Sequence, residues 1–235
     1  MVRPVARLTI LVLSAAGATL AQRVISAKAG LVYLVQGNVS VEGSGVLPAG
    51  GGLRQLREGE ILITRRGRAK VLLNPKTTLL LDEMSRLRMD DVTLTGTRLR
   101  LESGSAVVSA GPMPKGDRIE VNVGGSIIEV SRLGVYRFDA SPGRLRVYSG
   151  RVEARLLSAV EKGNQTAKVT AKRGQSVELE DLGLAKFDTS QTDLLQRWAR
   201  TSRPPEPGLR AVPPRLDSWP DGLPRPSQVA QLTGP

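Results

Sequence analysis

Asp82-Glu83 and Asp90-Asp91 are the tightest acidic groupings in the chain. Paired carboxylates of this kind can hold a hard cation such as Ca²⁺ through oxygen ligands. Neither pair falls in an EF-hand spacing, and each closes an apolar run, where turn acids are expected. Two carboxylates can also carry glycoside hydrolysis, but nothing in the sequence selects a pair. The chain has no Cys and no His. That excludes a disulfide framework, a Cys-bound metal and a thiol nucleophile. It also removes the usual proton carrier near neutral pH, and with it Ser–His–Asp and Cys–His catalysis. The expectation is no catalytic residue, no metal and no cofactor.

Other residues that carry chemistry elsewhere find a structural reading here. Residues 43–52 hold five glycines and one proline. A loop of this type cradles phosphate only where it opens a helix, and no helical pattern follows. Gly124-Gly125-Ser126 reads as a tight turn between two strands. Asn38-Val39-Ser40 and Asn164-Gln165-Thr166 fit the glycosylation pattern, which also occurs by chance. Trp198 and Trp219 are the only tryptophans, and both are candidate partner contacts.

Net charge is +12, from 34 basic and 22 acidic residues. Such a surplus attracts polyanions. The basic residues, however, alternate with apolar ones, as in Arg98-Leu99-Arg100-Leu101 and Arg144-Leu145-Arg146-Val147. Alternation of period two describes the solvated face of a sheet before it describes a ligand stripe.

The first 21 residues read as a secretory signal. Arg3 and Arg7 give a basic start, residues 8–18 are almost uninterruptedly apolar or small, and Thr19-Leu20-Ala21 supplies small residues before a cut between Ala21 and Gln22. The apolar run is short for a membrane span, which needs about 20 residues; an uncleaved anchor is the rival reading. Export to the periplasm or beyond makes nucleic acid a poor partner. It favours an envelope protein or an anionic envelope surface, with no membrane span left after signal cleavage.

The elements that must position any site are strands. Residues 31–35 form an apolar run closed by Gly37-Asn38, and Val39 and Val41 then alternate with polar residues. Residues 60–64, 69–73 and 77–81 are separate runs divided by Arg66-Gly67 and Asn74-Pro75. Further runs cover residues 98–102, 106–109, 118–123, 126–130, 134–138, 144–148, 151–156, 167–171 and 176–179. Short runs bounded by Gly, Pro, Asn or Asp are strand and turn chemistry. The fold expected is all-β, with many short, mostly antiparallel strands in a twisted sandwich or solenoid-like stack, and one short C-terminal helix.

An internal echo links Arg98-Leu99-Arg100-Leu101-Glu102-Ser103-Gly104 with Arg144-Leu145-Arg146-Val147-Tyr148-Ser149-Gly150. It describes either two similar hairpins or a repeated strand–Gly–strand unit. Residues 188–203 then change pattern. Asp188, Thr189 or Ser190 can cap a helix whose one face holds Leu194, Leu195 and Trp198. Nine of the 32 residues from Pro204 onward are proline, a composition of extended or disordered chain. The organisation expected is a signal at 1–21, a β domain at 22–184, a short helix packed on it at 185–203, and a Pro-rich tail at 204–235.

These stretches resemble a known family. Gly30-Leu31-Val32-Tyr33-Leu34-Val35-Gln36-Gly37 opens the pattern. Leu56-Arg57-Glu58-Gly59-Glu60-Ile61-Leu62-Ile63-Thr64 and Leu79-Leu80-Leu81 follow, then Ile127-Ile128-Glu129-Val130, Gly134-Val135-Tyr136-Arg137-Phe138 and the strand pair around Ser149-Gly150. The order is similar to the FecR domain, the extracytoplasmic β-rich domain of bacterial cell-surface signalling regulators, over residues 27–184. Where that family has Gly-Thr before the Phe-containing strand, this chain has Leu133-Gly134-Val135. The best-known members carry a cytoplasmic anti-sigma segment and a membrane helix ahead of the domain, and neither is seen here. The resemblance implies an exported, non-catalytic binding or regulatory module that acts through protein–protein contacts. The alternatives are a basic protein that binds anionic envelope glycan or lipid, and a carboxylate-dependent hydrolase.

Overall fold

A computed structural model describes residues 27–50, 53–158, 168–190 and 195. Among these the chain is nearly all β, with helical residues only at 157–158 and 195. One strand organises the rest. β4 (Ile61–Asn74) lies along β1 (Leu31–Val41) by one edge. Its other edge is shared. Ile61–Ile63 pair with β6 (Arg86–Asp91), and Ala69–Asn74 pair with β5 (Thr77–Leu81). The sheet thus leaves β4 in two directions. One arm continues from β6 through β7 (Gly96–Ser103), β9 (Arg118–Val123), β10 (Ser126–Val130), β13 (Arg151–Leu156) and β14 (Lys168–Lys172). The other continues from β5 through β8 (Ser105–Ala110), β11 (Gly134–Ala140), β12 (Gly143–Ser149), β15 (Gln175–Glu178) and β16 (Gly183–Lys186). Two short strands, β2 (Gly45–Val46) and β3 (Arg54–Gln55), pair with β1.

All pairings are antiparallel except that of β7 with β9. The arms curl toward each other into a nearly closed, barrel-like sheet around one apolar core. Alternation decides what enters it. β7 buries Thr97, Leu99 and Leu101 and turns Arg98, Arg100 and Glu102 outward. β12 likewise buries Leu145 and Val147 between Arg144 and Arg146. With so few aromatics, the core is built from Val, Leu, Ile and Ala around Tyr136 and Phe138. The fold class matches the one the strand spacing predicts.

Two expected turns are corrected. Gly37-Asn38 does not end a strand, and Arg66-Gly67 does not separate two. β1 and β4 run through both as single long strands, with a register shift between Gly37 and Val39. Gly37 and Gly67 face each other in the ladder. A Cβ on Gly67 would lie 2.5 Å from both Asn38 N and Gln36 O. The glycines therefore permit close backbone approach and a bend.

The sequence echo is resolved too. Gly104 and Gly150 are corners, not hairpin turns: β7 passes through Gly104 into β8 on the other arm, and β12 passes through Gly150 into β13. Both have positive φ, +79° and +89°, which favours glycine. Gly150 also makes room for the Tyr136 hydroxyl, which a Cβ would approach to 2.5 Å. β2, β3, β6 and β16 lie outside the strand runs that the sequence pattern predicts. β6 is an Arg-Leu-Arg-Met run hidden between charges. β16 is short and exposed, and it ends at Lys186.

Candidate interaction surface

The outer face of the second arm carries a row set by strand register. Lys70 on β4 lies beside Leu80, Leu80 beside Val107, and Val107 beside Arg137. The row continues through Arg146 to Ser176 and Ala185. These positions alternate with core residues, so they would ordinarily meet water. Yet Lys70 and Val107 have no exposed surface, and Leu80 has 1 %. Leu195, itself 2 % exposed, packs with Leu80 and Val107 in a small second apolar cluster, flanked by Val135. Leu195 is helical and is the one described residue beyond 190. Desolvation lowers the Lys70 ammonium from its ordinary range to about 8, because burial disfavours the charged form.

Beyond the covered end the row turns polar. Asp139 is 9 % exposed. It accepts hydrogen bonds from Ser105 Oγ at 2.6 Å and Arg137 Nε at 2.9 Å, and pairs with Arg146 at 3.8 Å. Arg144 donates to Glu178 at 2.7 Å. A hollow of about 410 Å³ opens here, lined in part by Arg144, Arg146, Tyr148, Glu178, Lys186 and Phe187. Tyr148 and Phe187 meet edge to face, with centroids 4.9 Å apart. The hollow offers cations, Glu178 already matched to Arg144, Asp188 held by Ser190, and an aromatic pair. Such a set recognises shape and charge; it contains no activated nucleophile. Sequence reasoning missed this strip. The signal was the placing of Arg137 and Asp139 two apart on one strand, where they share a face.

The acidic pairs singled out earlier are occupied by arginines. Asp82 lies 2.7 Å and Glu83 3.2 Å from Arg68. Asp90 pairs with Arg88 and Arg100, both at 3.2 Å, and Asp91 with Arg98 at 3.4 Å. Asp91 also accepts from the Thr93 N–H, which, ahead of Arg98, lowers its carboxyl below the usual range. Among the described residues no cluster of three or more His, Cys, Asp or Glu is arranged to hold a metal ion. Gly124-Gly125 makes the β9–β10 hairpin, and Ser126 Oγ donates to Leu179 O at 2.7 Å. Asn38 is exposed. Ala21, Gln22, Asn164, Trp198 and Trp219 lie outside the described residues, as do Gly51 and Gly52. Among the described residues no helix is long and apolar enough to cross a membrane.

Residues 60–153 match the model of the FecR protein family. That stretch is a FecR-family segment. It begins just ahead of β4 and ends within β13, so it takes in the branching strand, both Gly corners and the Asp139 network. The FecR assignment supports a regulatory, non-catalytic module. No curated protein matches the chain. Two crystal structures, at 2.50 and 1.65 Å resolution, of a “putative anti-sigma factor” from Parabacteroides distasonis align with it at a TM-score of 0.42 and 14 % identity. The alignment covers 54 % of this chain and 57 % of theirs, so the chain spans little more than half of their length.

Proposed function

We propose that this chain is an exported, non-catalytic regulatory module of the cell envelope that works by binding another protein. The observation that carries the reading is the FecR-family segment at residues 60–153. A surface rich in matched charges and low in reactive groups supports it. Export rests on the basic and apolar start of the sequence, with cleavage between Ala21 and Gln22. The β domain runs through β16 to Lys186, two residues past the boundary expected from the sequence; the module would add a short helix in the segment up to residue 203, packed against the domain, and a Pro-rich tail. Trp198 and Trp219 are proposed as additional partner contacts. No cofactor enters this reading.

Photo-cross-linking of the full chain in the envelope of the cell that makes it, followed by mass spectrometry, tests the proposal. A discrete protein partner retained at moderate salt is the expected result. Association with envelope glycan or lipid that vanishes at moderate salt would replace it with the polyanion reading. Turnover of a glycan substrate, lost on a single Asp→Asn change, would overturn the non-catalytic assignment.

A further inference from the structure

The arginines of the first arm are matched to acids on its outer face. Arg86, Arg88, Arg98, Arg100, Arg118 and Arg155 all have a carboxylate within 4 Å. At the end of this arm, among the described residues, one cluster departs from this rule. Three chain corners meet where β10 passes into β11, β12 into β13 and β14 into β15. They carry Arg132, Arg151, Lys172 and Arg173, all exposed, and none has an acid partner among the described residues. Arg151 and Lys172 stand directly opposite in the β13–β14 ladder. Like charges so placed repel.

Two of the corners are tied together through Tyr136. The Tyr136 hydroxyl lies 3.0 Å from both Arg132 O and Arg151 O, and a Cβ on Gly150 would sit 2.4 Å from Leu133 O. Leu133, beside Arg132, is 62 % exposed. A hollow of about 210 Å³ between Arg132 and Arg151 is also lined by Glu129 and Glu153. Those two carboxylates are engaged by Arg155 and, for Glu153, by Lys168 as well. Asp188, next to the strand end that reaches Gly174, is held by Ser190.

We infer that this corner is the docking surface for an acidic segment of a protein partner, one that sets carboxylates against the four cations and an apolar side chain on Leu133. The inference rests on the protein-binding reading above and names its surface. The free chain keeps a repulsion that an anionic partner relieves. The exposed Leu133 beside Arg132 favours a polypeptide over a glycan, which offers carboxylates or sulfates but little apolar surface.

The test uses the full chain and a short fluorescein-labelled poly-glutamate peptide interrupted by one central Leu, followed by anisotropy across a salt series. The wild type is expected to bind, more weakly as salt rises. R132S/R151S/K172S/R173S should lose at least about tenfold in affinity, whereas R86S/R88S/R98S/R100S, with the same change in net charge, should stay within about threefold. L133S should weaken binding with no change in charge. R151S/K172S, which removes the cross-strand repulsion, should bind less while melting at the same temperature or higher. Equal losses in the two quadruple variants, or no binding of the peptide by the wild type, would overturn the assignment. So would phosphatidylglycerol vesicles binding through the four cations while the peptide does not. Cross-linking to a protein partner through another face would sink this surface and leave the regulatory reading standing.

Discussion

Lys70 is the residue at which burial and charge conflict most directly. It sits on the outer face of a sheet, in register with Leu34 and Leu80, and has no exposed surface. Its ammonium titrates near 8 in the folded chain because it is desolvated; unfolded, it titrates near 10.4. The sign follows from proton counting. Below pH 8 both states hold the proton, and the full cost of burying the charge is present. Between about 8 and 10.4 the unfolded state holds more protons, so stability rises with pH, by up to about 3 kcal/mol. Tyr33 and Tyr136, whose hydroxyls burial pushes up, act in the opposite direction at the alkaline end. Lys70→Met isolates the lysine. The difference in stability between wild type and variant, from urea unfolding at pH 7 to 10, should change across this window in favour of the wild type. A pH-independent difference would show that Lys70 does not carry the effect.

At the scale of elements, two glycines govern the bend of the longest strands. Gly67 is not in a left-handed conformation; it is needed because β1 passes too close for a side chain. Gly43 is the contrast, with φ at +72° and open space within 4 Å of where a Cβ would stand. Gly67→Ala should therefore cost more than about 2 kcal/mol, while Gly43→Ala costs about 1 kcal/mol. Thermal and urea unfolding of the two variants checks the order. A smaller loss at Gly67 would mean that β1 and β4 separate easily at this point. The corners at Gly104 and Gly150 obey a related rule, since each turns the chain from one arm to the other with positive φ. This explains why the echoed Arg-Leu-Arg motif ends in Ser-Gly twice: an alternating strand leads into a corner in both places.

Across the whole molecule, the sheet presents two unlike faces. The first arm exposes a lattice of matched charges, individually worth little to stability. The second arm is partly covered, with Leu195 against Leu80 and Val107. Leu195→Ala should lower stability by about 2 kcal/mol, as for truncation of a buried leucine, and should raise binding of a hydrophobic dye as Leu80 and Val107 become wet. Unchanged melting and dye binding would show that this contact contributes nothing to the fold.

The sequence by itself determined the β class, the alternation that places Leu99 and Leu145 inside and their arginines outside, and the FecR-like order of motifs. Those features are local: a period of two needs only neighbouring residues to be legible. It also determined that no His or Cys chemistry is available. It misread Gly37 and Gly67 as turns, because a glycine required for close approach to a distant strand looks the same as one required for a turn. Only the tertiary structure decided that Asp82, Glu83, Asp90 and Asp91 are neutralised by arginines, some distant in sequence, such as Arg68. It alone placed Arg137, Asp139 and Arg146 in one network. Arg132, Arg151, Lys172 and Arg173, ordinary charges in the sequence, become one cationic corner because three separate crossings of the chain end side by side. Register and crossing direction depend on contacts far apart in the chain, and these bring the charges together.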